Sequence, residues 1–246
     1  MSDAKRGASR LAKAPPKPPS LTRRIAPAGL TLVRRADPRL LATLIFAAIA
    51  VFGVFGEIHQ NDYGSMFNLD EEGTPATNFS ALLLLFAAAA ALLAAETEIG
   101  RGAPRGILIG LGLFFAFMAI DEHQALHEKL EREAGIDWQI LYVPVVLPAA
   151  AAGLLALRSL FRVHRLAAGL FAAGASAWVL AIALEAYQWG GEGDFLLHPG
   201  TIVPEELLEM SGSALLALGL LVGIRRVDDA RERSGASEAS LAYGSE

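Results

Sequence analysis

Six stretches of this 246-residue chain contain no charged residue, and their lengths decide what the chain can fold into. Four of them have 17 to 19 residues, and the other two have 15 and 14: 40–56, 79–95, 140–157, 166–184, 106–120 and 211–224. A helix needs about 20 apolar residues to cross the hydrocarbon core of a bilayer. The two short stretches must therefore draw polar neighbours into their helices. We predict an all-α integral membrane bundle of six transmembrane helices.

The composition supports this class of protein. Hydrophobic residues make up 53% of the chain and charged residues 19%, whereas soluble domains have about 25% charged residues. This excludes a disordered, a fibrous and an ordinary soluble globular protein. The chain has 0 cysteines, which also excludes a disulfide, a thiolate metal site and a cysteine nucleophile.

The positions of Lys and Arg predict the orientation in the membrane. Of the 21 such residues, 19 lie before the first stretch, after the last one, or in the second and fourth connections between stretches. Loops rich in Lys and Arg stay in the cytoplasm. We expect both termini to be cytoplasmic and the first, third and fifth connections to face outside.

Three segments follow from this pattern. Residues 1–38 are rich in Ala, Pro, Lys and Arg and are expected to form a disordered basic cytoplasmic tail. Residues 39–226 form the six-helix transmembrane domain, and residues 227–246 form a flexible cytoplasmic tail. Two pairs of glycines four residues apart, Gly106 with Gly110 and Gly219 with Gly223, have the spacing that lets membrane helices approach closely.

Carboxylates and histidines collect on the predicted outer side. Asp121 follows Arg105 by 16 residues, or about 24 Å of helix, so it should lie inside the outer leaflet. Glu185 closes the fifth span at the same depth, and three glutamates, 205, 206 and 209, open the sixth. At 100° per residue, Asp121 and His127 fall within one arc of the third helix, so helices 3, 5 and 6 can direct carboxylates at one point.

These carboxylates lack a counter-charge, because none of the six stretches contains Lys or Arg. Closely placed carboxylates cannot all ionise without one. Some of them hold protons, or a cation neutralises them; carboxylates with imidazoles suit iron, manganese or zinc. We predict a divalent metal ion of this kind, with Glu206 as general base and five ligands: Asp121, His127, Glu128, Glu185 and Glu209. Two structural alternatives stay open: Asp121 as a buried, hydrogen-bonded carboxyl, and the glutamates of the sixth span as acids that complement a helix N-terminus.

Three blocks of sequence resemble an uncharacterised family of bacterial six-span inner-membrane proteins. They are Asn68-Leu69-Asp70-Glu71 leading into the second span, Asp121-Glu122 with His127-Glu128 after the third, and Glu205-Glu206-Leu207-Leu208-Glu209-Met210 opening the sixth. The resemblance covers residues 40–226. It implies a multi-pass protein of the bacterial inner membrane and adds Glu71 to the acidic cluster. It implies no reaction.

Three functions remain open at this point. The first is a metal-dependent membrane enzyme that acts on a lipid or a lipid-soluble substrate. The second is a transporter or sensor for cations or protons, and the third is a non-catalytic bundle with a structural metal clamp. We expect the lipid bilayer as a partner and no nucleic acid.

Overall fold

The regular secondary structure in the described part of the chain is all helical. The computed structural model describes residues 31, 36–59, 62, 65–69, 71, 73–97, 99–102, 105–136, 138–188 and 199–243. Its main helices are α1 Pro38–His59, α2 Pro75–Ala94, α3 Arg105–Gln124, α4 Leu126–Ala134, α5 Trp138–Val163, α6 Arg165–Gln188 and α7 Ile202–Tyr243. Single helical turns are formed by Ile99–Gly102 and Pro199–Thr201.

Six of the helices are long and apolar enough to cross a membrane. They are α1, α2, α3, α5, α6 and the part of α7 that covers Ile202–Ala230. The prediction of an all-α fold with six such helices is therefore confirmed. The two shortest uncharged stretches do draw acids into their helices, since α3 includes Asp121 and Glu122 and α7 begins before Glu205. Membrane insertion and the cytoplasmic position of both termini stay predictions.

The structure describes little of the first predicted tail and most of the second. Most of the segment 1–38 lies outside the described residues. At the other end, α7 continues as a helix to Tyr243, well into the segment for which we expect a flexible tail. The boundaries at 38 and 226 stay predictions.

Five of the helices close a ring. α2 packs against α3 and α7, α7 packs against α6, α6 against α5, and α5 against α3. α1 packs against α7 and buries Ile45 and Ile49 there. The main core lies inside the ring and consists of Ala, Leu and Phe side chains such as Leu84, Leu108 and Phe171.

α6 and α7 approach each other through glycines. A Cβ atom added to Gly174 would lie 2.6 Å from the backbone oxygen of Gly212 and 2.7 Å from the backbone nitrogen of Leu216. A Cβ on Gly219 would lie 2.8 Å from the backbone oxygen of Ala167. The two backbones are therefore in direct contact, and only glycine leaves room for this.

The bundle has two chemically different ends. At one end, which we call the acidic end, the start of α5 meets the end of α6 through Trp138 and Glu185. The end of α6 meets the start of α7 there through Gln188 and Glu205. At the other end, the basic end, Arg225 donates a hydrogen bond to the backbone oxygen of Ala36. The candidate site lies at the acidic end.

Candidate metal centre

Three carboxylates converge at the acidic end. Glu122 lies in the last turn of α3, and Glu206 and Glu209 lie in the second turn of α7. Each of them offers one oxygen atom, and the three oxygens all lie within 4.8 Å of one another. Glu206 and Glu209 share a face of α7 because residues three apart are neighbours on a helix surface. We call these three residues the carboxylate cluster; by geometry and donor type it could hold a metal ion.

The cluster is partly shielded by the ring of helices. All three side chains are partly buried. Ser80 of α2 is 1% exposed, and its side chain hydrogen-bonds Glu122. Since α2 lies between α3 and α7, this contact fixes the glutamate of α3 on the side that faces α7.

The helices that carry the cluster bring no positive side chain to it. α3 has no Lys or Arg after Arg105, and α7 has none before Arg225. Arg105 is the first residue of α3, and Arg225 lies near the end of the apolar part of α7, so both are far from the cluster. Three carboxylates at this spacing repel one another when ionised, so the arrangement calls for protons or a cation between them.

Asp121 lies beside the cluster and is held by three hydrogen bonds. One of its oxygens accepts from the backbone nitrogen of His127 at 2.9 Å and from the Tyr142 hydroxyl at 2.8 Å. The other lies 3.1 Å from Nδ1 of His127. Asp121 is 2% exposed, so these contacts satisfy a carboxylate that is removed from solvent. This is the hydrogen-bonded arrangement that the sequence left open for Asp121.

A left-handed residue brings His127 back over Asp121. Ala125, between α3 and α4, has φ 47° and ψ 48°, and it is the only residue other than glycine with positive φ in the described part of the chain. This conformation costs about 1–2 kcal/mol for a residue with a Cβ atom. The reversal lets Asp121 cap the first turn of α4, and it places the His127 ring beside Trp138, with centroids 5.2 Å apart and the ring planes tilted by 56°.

Glu185 is bound by the start of α5. It accepts a hydrogen bond from Nε1 of Trp138 at 2.6 Å and another from Nε2 of Gln139 at 3.2 Å. Glu205 accepts a hydrogen bond from the Gln188 side chain and is 8% exposed. Both glutamates thus join neighbouring helices at the rim of the ring.

The remaining sequence candidates are spread around this end. Glu128 lies in α4, but its side chain falls outside the described residues, as do Asp70 and His198. Glu71 accepts a hydrogen bond from the Asn68 amide at 3.4 Å near the start of α2. His59 pairs with Asp62, and His123 pairs with Asn78.

The structure therefore brings together two predicted residues, Glu206 and Glu209, with Glu122. Glu122 is neither one of the metal ligands nor the base predicted from the sequence. The Asp121-Glu122 pair was visible as a motif, but neighbouring residues lie 100° apart on a helix and only one can face α7. Of the predicted ligands whose side chains the structure describes, Glu209 alone belongs to the cluster. The proposed roles of Asp121, His127, Glu128, Glu185 and Glu206 stay predictions.

Comparison with known proteins identifies a family but no individual relative. A family described as a domain of unknown function (DUF8692) matches residues 32–224. No curated protein and no solved structure matches the chain. The match covers α1 to α6 and most of the apolar part of α7, including the carboxylate cluster.

Proposed function

The chain belongs to the DUF8692 family, a domain of unknown function, and we propose that it is a membrane-embedded, metal-dependent enzyme that acts on a lipid or a lipid-soluble substrate. The metal ion is held by the carboxylate cluster of Glu122, Glu206 and Glu209. In the predicted orientation, the cluster lies at the outer boundary of the bacterial inner membrane. A substrate can then reach it from the bilayer.

One observation carries this proposal: three carboxylate oxygens from two helices lie within 4.8 Å of one another in a partly buried position. Oxygen ligands of this kind suit manganese, magnesium or calcium, and carboxylates with a nearby imidazole suit iron, manganese or zinc. Manganese belongs to both sets and is the ion we choose as a probe. Three protein ligands leave coordination positions for water and substrate, as in catalytic metal sites.

The metal would polarise the substrate or lower the proton affinity of a bound water. His127 is the group we assign to proton transfer, because Asp121 orients its ring and the histidine lies close enough to Glu122 to interact with it electrostatically. The sequence predicts Glu206 as the general base. Because an oxygen of Glu206 belongs to the cluster, we assign it to the metal instead.

Transport is less well supported. A path for cations or protons needs polar groups through the whole thickness of the membrane. The described core has buried polar residues again at the basic end, namely Thr97, Ser159 and Asp228. Between them and Ser213 it is formed by apolar side chains such as Leu216 and Leu220. A transporter predicts a cation or proton flux into vesicles, whereas our proposal predicts none. A purely structural clamp predicts a metal whose removal unfolds the protein without any reaction.

The proposal is tested by turnover. The purified protein is placed in vesicles made from a total lipid extract of its own membrane, loaded with Mn²⁺ or treated with chelator, and the lipids are analysed by mass spectrometry. We expect a lipid product that requires Mn²⁺ and falls about 100-fold or more in E209Q, since loss of a ligand exceeds the effect of losing an outer-shell contact.

The control is E133Q, which removes an exposed carboxylate of α4 outside the cluster and should keep full turnover. An unchanged lipid profile with the Mn²⁺-loaded protein would contradict the proposed enzyme. Equal turnover in E209Q and the wild type would contradict the cluster as its metal site.

A further inference from the structure

A groove lies at the basic end, far from the carboxylate cluster. It is formed by the last turns of α5 and the first turns of α6, and its volume is about 700 Å³. Sites for small molecules have volumes of about 300–1,000 Å³. One wall is lined by long side chains: Leu154, Leu157, Arg158, Phe161 and Arg162. The other wall belongs to α6.

Three arginines line the groove where α5 meets α6, the end that we call its mouth. Arg158 and Arg162 lie one turn apart on α5, and Arg165 is the first residue of α6. All three are exposed, and no carboxylate of the described residues pairs with any of them within 4 Å. The chain has no Asp or Glu between positions 137 and 185. Within the described part of the chain, these three positive charges are therefore not neutralised by a direct ion pair.

The body of the groove is apolar and open. The wall formed by α6 consists of the small residues Ala168, Gly169 and Ala172. A Cβ atom added to Gly169 would meet no atom within 4 Å, so the space above this glycine is free. Leu154, on the opposite wall, is 68% exposed. A hydrocarbon chain can lie here without displacing protein atoms.

We propose that this groove binds an anionic phospholipid, with the phosphate held by Arg158, Arg162 and Arg165 and an acyl chain lying along Gly169. Guanidinium groups bind phosphate through paired hydrogen bonds, and basic pockets between membrane helices are suited to anionic headgroups. The division of the groove into a charged mouth and an apolar body matches the two parts of such a lipid. The inference requires the helices to lie in a membrane, but it does not depend on the metal centre.

The test measures lipid binding to the full chain in detergent by native mass spectrometry. Phosphatidylglycerol and phosphatidylcholine are added separately, and the affinity of the first bound lipid is determined. We expect preferential binding of phosphatidylglycerol. The triple variant R158Q/R162Q/R165Q should lose about 100-fold in this affinity, since each basic residue near a headgroup contributes about fivefold.

The control variant R39Q/R226Q/R233Q removes the same charge from exposed arginines outside the groove and should keep the affinity within a few-fold. If both triple variants lose affinity equally, the arginines act only through net charge and the site is refuted. Equal binding of the two lipids by the wild type would refute it as well.

A second pair of variants tests the apolar body. G169L fills the groove, and G110L places the same side chain at an exposed glycine of α3 that has no atom within 4 Å of its Cβ position. We expect weaker phosphatidylglycerol binding in G169L and unchanged binding in G110L. We also expect glycerol 3-phosphate, which has the headgroup phosphate and no acyl chain, to compete poorly. Effective competition by it, or unchanged binding in G169L, would contradict a lipid as the ligand.

Discussion

Replacing Gly174 with alanine should push α6 and α7 apart. The new Cβ atom would lie 2.6 Å from the backbone oxygen of Gly212, and ordinary contact begins at 3.4 Å. The backbones would have to separate locally by about 0.8 Å. A gap of 0.5–1 Å removes about a quarter to a half of the dispersion energy of each contact it opens. Overpacking of this kind typically lowers the free energy of unfolding by about 1–3 kcal/mol.

The matched control is G110A. Both substitutions gain the same helix propensity from replacing glycine with alanine, but a Cβ atom on Gly110 meets nothing within 4 Å. The difference between the two variants therefore isolates the contact between α6 and α7. In a protein of this size, each kcal/mol lost from the free energy of unfolding lowers the midpoint of thermal unfolding by about 2–4 °C. When both variants are unfolded in the same detergent, we therefore expect an apparent midpoint about 2–12 °C lower for G174A than for G110A. Equal midpoints would refute the close approach of the two helices at Gly174.

Two further predictions concern hydrogen bonds at the acidic end. Y142F removes a donor to the buried carboxylate of Asp121 and should lower the free energy of unfolding by about 1–3 kcal/mol; no loss in chemical unfolding would argue against the Asp121 network. T74A removes the side chain that caps α2 by accepting from the backbone nitrogen of Thr77, and should cost about 1 kcal/mol in the same assay; no loss would show that the cap is dispensable.

The six long helices could be predicted because hydropathy and length act on each segment separately. A run of uncharged residues of bilayer length has few alternatives to a membrane helix, whatever its neighbours are. The short runs also predicted correctly that Asp121 and Glu205 belong to helices. These inferences need no knowledge of how the helices pack.

Contacts between helices could not be predicted in the same way. Gly106 with Gly110 and Gly219 with Gly223 have the same spacing, yet the first pair faces open space and the second packs against α5, α6 and neighbouring side chains. The difference lies in the rotation of each helix about its axis, which spacing alone leaves undetermined. The pattern therefore predicts only that a close contact is possible.

The rotation of α3 about its axis also determines which of its carboxylates belongs to the cluster. Asp121 was the natural ligand by depth, but α3 is turned so that its neighbour Glu122 meets α7. Asp121 instead accepts a hydrogen bond from Tyr142 of α5 and contacts the His127 ring, which the reversal at Ala125 brings close to it. That reversal needs positive φ at an alanine, a conformation that sequence propensities disfavour. Glu206 and Glu209 could both be predicted for the site, although in different roles, because their spacing on one helix does not depend on any other helix.

The metal content of the purified protein tests the central claim most directly. The wild type, E122Q, E206Q, E209Q and the control E133Q are loaded with Mn²⁺ in detergent, desalted and analysed by plasma mass spectrometry, with helical content checked by circular dichroism. We predict about one retained ion per chain in the wild type and E133Q, and less than about a tenth of that in the three cluster variants. No retained metal in the wild type, or equal retention in folded E209Q, would contradict a metal centre formed by Glu122, Glu206 and Glu209.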